Sequence, residues 1–169
     1  GHLFMLQGKE HVEVPMAVTL DECWQMVETA EQTKRHCVMM ENCCYDRVEM
    51  MILNMVRQQV FGELLHAECG YLHDLRALKL SPTYYENRWR IDHSVARNGD
   101  VYPTHGLGPV AQWLDINRGN RFESLVSMST NARGLADFAA AHIGPTSREA
   151  TQRYALGDDT SVNYLIACT

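Results

Sequence analysis

HVEVPMAVTLDECWQMVETAEQTKRHCVMMEN, residues 11–42, is the stretch that sets the architecture. It opens on a short strand that stops at Pro15. Thr19-x-x-Glu22 then forms a capping box, in which the threonine hydroxyl and the glutamate carboxylate satisfy each other's free backbone N–H groups. Leu20, Cys23, Trp24, Val27 and Ala30 follow at helical spacing, which predicts an amphipathic helix over 20–33. HCVMMEN (36–42) reads as a second short strand. A second helix is expected over 46–60, with Val48, Met51, Ile52, Met55, Val56 and Val60 on its buried face and Gly62 as its stop. Strand, helix, strand, helix in so short a span predicts an α/β fold with a parallel strand pair. A parallel sheet needs several strands with both faces covered, so the chain is expected to be a piece of a larger fold.

Downstream of Gly62 the pattern changes, and a seam is expected near 60–64. Residues 64–73 alternate with Leu65, Ala67, Cys69, Tyr71 and His73 on one face, which predicts a strand. Residues 75–101 read as an irregular polar segment. A helix is expected over 106–117, with Pro109 in its first turn. A strand over 121–131, an alanine-rich helix over 135–142, and a short helix to about Tyr154 opened by the capping box Thr146-x-x-Glu149 come next. The last expected strand is SVNYLIAC, 161–168.

Composition narrows the function. Apolar residues make up 46% and charged residues 21% of 169, a globular balance, and the net charge of −6 gives no broad cationic surface for nucleic acid. Nucleic-acid and membrane partners are therefore not expected: no apolar run reaches the ~18 residues of a membrane span. Residues 1–5 lack the pattern of a secretory signal. The cysteines at 23, 37, 43, 44, 69 and 168 read as structural, with Cys23 and Cys37 as buried small hydrophobes. No G-x-G-x-x-G dinucleotide fingerprint occurs in the chain.

Three groups of residues could carry chemistry. Tyr71 and His73, on one face of a strand, would present a phenol and an imidazole side by side for sugar recognition; equally, both could be hydrogen-bonded under a covering loop. In Tyr102-Pro103-Thr104-His105, the histidine falls at a helix N-terminus, where the positive end of the dipole favours a neutral ring suited to accepting a proton. The alternative is a histidine that only caps the helix. Trp89-Arg90 in the loop places a guanidinium beside an aromatic ring, apt for holding a hydroxyl or carbonyl oxygen, or a plain surface arginine. A metal set of His66, Cys69 and His73 is rejected, because on a strand His66 points away from the other two, and no metal is expected.

Between residues 8 and 134 several of these stretches form longer motifs. EVP (13–15), TLDECWQMVETAE (19–31), ENCCY (41–45), NMVRQQVFGEL (54–64), GYLHDLR (70–76), WR (89–90), YPTHGLGPVAQW (102–113), INRG (116–119), SMST (127–130) and ARG (132–134) resemble glycoside hydrolase family 109. The likeness weakens after about residue 157. The family comprises NAD-dependent α-N-acetylgalactosaminidases within the glucose–fructose oxidoreductase-like group. The resemblance implies the C-terminal part of a Rossmann-type parallel sheet over 1–62, then part of an α/β domain with an open, largely antiparallel sheet over 63–169. It implies NAD contacts at Glu13, Val14 and Asn42, and a substrate site at Tyr71, Arg90, Tyr102, Pro103, Thr104 and His105. Tyr71, His73 and His105 are then the expected catalytic groups.

The implied reaction removes a terminal α-linked N-acetylgalactosamine. Hydride transfer from C3 of the sugar to NAD makes the C2 proton acidic, a base removes it, the C1 substituent leaves, water adds, and the hydride returns. Oxidoreductase relatives usually carry Glu-Lys-Pro where this chain has Glu13-Val14-Pro15, and an aspartate where it has Val101. Both differences weigh against net sugar oxidation, which is nevertheless the alternative enzyme reading, as an NAD(P)-dependent sugar oxidoreductase. A non-catalytic sheet domain that self-associates through Leu125, Val126, Met128 and Ile166 is the alternative outside catalysis. The stretch in hand is expected to be inactive alone, because the implied phosphate-binding loop is not in it.

Overall fold

The computed structural model describes residues 11–12, 16–39, 41–85, 88–100 and 103–167, with the backbone alone for 11–12 and 160–165. The chain divides into two units, residues 1–71 with 102–114, and residues 72–101 with 115–169. It is a mixed α/β structure, mostly helical, with a small open antiparallel sheet.

In the first unit, strands β1 (His11–Val12) and β2 (Val38–Met39) pair in parallel, His11 opposite Val38 and Val12 opposite Met39. Helix α1 (Leu20–Thr33) joins them and starts where its capping box requires. Thr19 Oγ1 accepts from the Glu22 N–H at 3.2 Å, and the Glu22 carboxylate accepts from the Thr19 N–H, also at 3.2 Å. Lys34 ends the helix in the left-handed region. The predicted parallel βαβ step is thus present, but with only two residues per strand. No larger parallel sheet exists among the described residues. That shortage of sheet explains a correction. Leu20, Cys23, Trp24 and Val27, expected to be buried, are exposed, and Met26 packs instead against Met16, Ala30 and Cys37.

A 3₁₀ turn (Asn42–Tyr45) leads into α2 (Arg47–Arg57). Here too the expected buried face is only partly covered. Leu53 is buried, while Val48, Met51 and Val60 are exposed. The helix ends before 60 because Gln59 already turns left-handed, followed by Gly62 at φ 68°.

The strand expected over 64–73 does not form, and that segment is irregular. A strand is stable only where its N–H and C=O groups find a partner ladder. None is offered to 64–73 among the described residues. The irregular segment expected over 75–101 in turn contains two helices of the second unit, α3 (Arg76–Leu80) and α4 (Trp89–Ala96). Both are anchored by apolar residues hidden among charged ones. Leu80 and Ile91 join Ala139 and Tyr154 in the core of this unit. Asp74 starts α3, accepting from the Arg76 N–H at 3.0 Å and from its guanidinium at 2.7 Å.

The second unit continues with β3 (Arg121–Ser129), α6 (Gly134–His142), α7 (Arg148–Thr151) and β4 (Thr160–Ala167); helix α5 (Thr104–Trp113) returns to the first unit. β3 and β4 pair antiparallel from Arg121 opposite Ala167 to Ser129 opposite Thr160, with a bulge between Phe122 and Ser124. All nine residues of β3 are exposed, including Leu125, Val126 and Met128, so neither face is covered. Helix α6 is capped from a distance, since Asp158 accepts from the N–H groups of Arg133 (3.0 Å) and Gly134 (2.8 Å). Helix α7 starts one residue later than the Thr146 capping box implied. Ser147 is its cap, accepting from the Ala150 N–H at 3.2 Å. No helix among the described residues is long and apolar enough to cross a membrane.

Candidate functional site

The first unit gathers its polar side chains where α5 begins. Pro103 caps this helix, and Thr104 and His105 are its first two residues. The helix starts two residues earlier than expected. Pro109 therefore lies in the second turn rather than the first, where it cannot donate to the His105 carbonyl four residues back. The Thr104 hydroxyl oxygen is buried and has no hydrogen-bond partner among the described residues.

His105 meets two groups from distant parts of the sequence. The Tyr71 ring packs edge-on against it, with centroids 4.5 Å apart and planes at 70°. Its Nδ1 is hydrogen-bonded to Glu41 Oε1, across 64 residues of sequence. The side chains of this pair are 8% and 1% exposed, His105 and Glu41 respectively. Glu41 lies just past the carboxyl end of β2, the position where parallel α/β folds place ligand-binding groups. Its Oε1 also accepts from the Cys43 N–H at 3.1 Å, and its Oε2 is buried with no partner among the described residues.

Close packing brings α5 against the 3₁₀ turn. A Cβ on Gly108 would collide with Cys44 Sγ, and one on Gly106 would stand 3.1 Å from Cys69 Sγ. Trp113 Nε1 donates to the Glu49 carbonyl at 3.3 Å and ties the far end of α5 to α2. Gly108 thus allows the helix to approach the turn that follows Glu41, and Gly106 its approach to the segment that carries Cys69.

Glu41, Cys43 and His105 bring a carboxylate oxygen, a thiol and a ring nitrogen within 4.8 Å of one another, a donor set for a metal. Two features oppose that use. Burial, then the nearby Glu41 carboxylate, push the Cys43 thiol up, whereas a metal takes the thiolate. Glu41 and His105 are in addition already engaged with each other. Burial, with Glu41 adding to it, pushes the Cys44 thiol up to about 11.

The structure brings Tyr71 and His105 together, with Pro103 and Thr104 beside the histidine in sequence. Asn42 is exposed at the start of the 3₁₀ turn, next to Glu41. Glu13, Val14 and Tyr102 lie outside the described residues. His73 is exposed on the irregular segment at the edge of the second unit, so it does not share a strand face with Tyr71. Arg90 is also in the second unit, in the first turn of α4 and not in a loop. Its guanidinium sits over the rings of Tyr85 (4.7 Å) and Trp89 (4.8 Å). Glu41 went unread as a site residue in the sequence. The available signal was an acidic residue at the end of an apolar strand, where burial needs a partner.

Comparison with known proteins extends the resemblance to the end of the chain. The family described as glycosyl hydrolase 109, C-terminal domain, matches residues 45–169, including the stretch after 157 where the likeness was expected to fade. Glycosyl hydrolase family 109 protein 2 of Phocaeicola vulgatus is 48% identical over 161 residues, which is 92% of this chain and 39% of that protein. An alpha-N-acetylgalactosaminidase of Bacteroides fragilis is 46% identical over 161 residues, 92% of this chain and 38% of its own length. A glycosyl hydrolase family 109 protein of Shewanella baltica is 53% identical over 156 residues, 91% of this chain and 34% of its own. The chain thus spans between a third and two fifths of the curated relatives it matches. The family match takes in both glycines of α5 and the Tyr71–His105 contact and covers most of the sequence: the chain belongs to glycosyl hydrolase family 109.

Proposed function

We propose that this chain is the part of an NAD-dependent glycosidase that holds the sugar and moves the C2 proton, with terminal α-linked N-acetylgalactosamine as substrate. The observation that carries the reading is the contact of Tyr71 with His105, a phenol and an imidazole from separate segments meeting at a helix N-terminus. The B. fragilis relative's name supplies the substrate.

His105 is the group that takes the C2 proton and can return it when water adds. Tyr71 orders the ring of His105 by edge contact and offers its hydroxyl to the sugar. The Thr104 hydroxyl is available to a substrate oxygen. Arg90, with its guanidinium over two aromatic rings, is suited to a carbonyl or hydroxyl oxygen of the substrate, and exposed His73 is a further candidate. Asn42 fits the nicotinamide half of NAD, because its exposed amide carries both a donor and an acceptor just beyond the end of β2. Glu13 and Val14 would complete that contact. When bound, NAD supplies reversible hydride acceptance at the sugar's C3.

A product assay on a protein of family length that carries this segment tests the reading. Free N-acetylgalactosamine released without net NADH supports it. Stoichiometric NADH accumulation would instead assign the chain to the sugar oxidoreductases.

A further inference from the structure

We propose that Glu41 is the positioning residue of this site: its carboxylate accepts a hydrogen bond from Nδ1–H of His105 and so leaves Nε2 as the nitrogen that takes the proton. The role rests on the reading of His105 as the proton-transfer group; the geometry does not.

An ionised carboxylate only accepts, and a neutral imidazole has one N–H and one lone pair. The Glu41 side chain is 1% exposed, and besides His105 the only donor to its carboxylate among the described residues is the Cys43 N–H at 3.1 Å. A buried carboxylate so poorly supplied is costly unless a further donor reaches it. Nδ1 of His105 is that donor, so the ring's proton is drawn to Nδ1 and the lone pair is fixed at Nε2. The alternative tautomer would set a lone pair against a buried carboxylate.

Both partners are held. The Cys44 N–H donates to the Glu41 carbonyl at 3.2 Å, and the Gly108–Cys44 contact presses the start of α5 onto the same turn. Tyr71 packs edge-on against the imidazole and limits its rotation. A carboxylate that orients an imidazole and fixes its tautomer is a known device of proton-transfer sites. Here the two come from a strand end and a helix start.

The test has two arms. In the first, the 169-residue chain is labelled with ¹⁵N-histidine, and His105 is assigned by the signal lost in His105→Asn. The expected ring carries its proton on Nδ1 with Nε2 bare. Glu41→Gln keeps an oxygen for the Cys43 N–H but removes the charge, and should shift His105 towards a mixture of tautomers while the other histidines stay unchanged. A proton on Nε2, or on both nitrogens at every pH where the chain is folded, overturns the proposal. So does an unaltered tautomer in the glutamine variant.

In the second arm, a family-length protein carrying Glu41→Gln should lose about 10²–10⁴-fold in kcat with KM little changed. Glu41→Asp should recover part of that loss. Full kcat in the glutamine variant overturns the positioning role. If the Nδ1–H tautomer is found but the unmodified family-length protein releases no sugar, the functional reading has failed and the Glu41–His105 geometry stands.

Discussion

At the scale of residues, the site rests on a few side chains whose partners lie far away in sequence. His105 was legible from residue type at a helix start, whereas Tyr71 was singled out, with His73, on the face of a strand that does not form. Glu41, the partner of His105, was not legible, because a hydrogen bond across 64 residues leaves no local pattern. Arg90 kept its expected aromatic company but not its loop. His73 lost the reason for its pairing with Tyr71, since that reason was a strand. Two substitutions examine this scale in a family-length protein. His105→Ala should lower kcat by about 10²–10⁴-fold if the imidazole moves a proton. Near-normal turnover would reduce it to a helix residue. Tyr71→Phe should lower kcat/KM if the hydroxyl touches the sugar, and an unchanged value would leave only the ring contact with His105.

At the scale of elements, the capping box of α1 set that helix's start and the apolar period its span, and both appear as expected. Elements that depend on a neighbour differ from their local pattern. Residues 64–73 alternate as a strand does but have no ladder to join. Arg76–Leu80 and Trp89–Ala96 are helices because Leu80 and Ile91 find a core, which polar flanking residues concealed. The approach of α5 to the 3₁₀ turn is the element contact that builds the site. Gly108→Ala would push a methyl into Cys44 Sγ and should cost about 1–3 kcal/mol, measurable as a lower urea midpoint. Unchanged stability would mean that the helix has room to retreat. The same turn carries a pH signature. Because burial raises the folded Cys44 pKa from 9.0 to about 11, the folded chain keeps a proton that the unfolded chain releases. The stabilisation is whole below pH 9 and is lost as pH rises towards about 11. The stability gap between wild type and Cys44→Ala should therefore narrow over that interval in urea titrations. A constant gap would place the thiol in a less buried setting.

At the scale of the whole molecule, the chain gives a site at one edge of a short parallel pair and a separate unit with a sheet bare on both faces. Leu20, Trp24 and Val27 form an exposed apolar stripe on α1. The central claim is that this site takes a proton from C2 of the sugar before the glycosidic bond breaks. It is tested most directly by letting a family-length protein carrying this segment hydrolyse an α-N-acetylgalactosaminide in deuterated water, then reading C2 of the released sugar by NMR and mass spectrometry. The account predicts deuterium at C2, with incorporation lost together with turnover in His105→Ala. Efficient release of sugar bearing only protium at C2 would contradict it and point to direct displacement at C1.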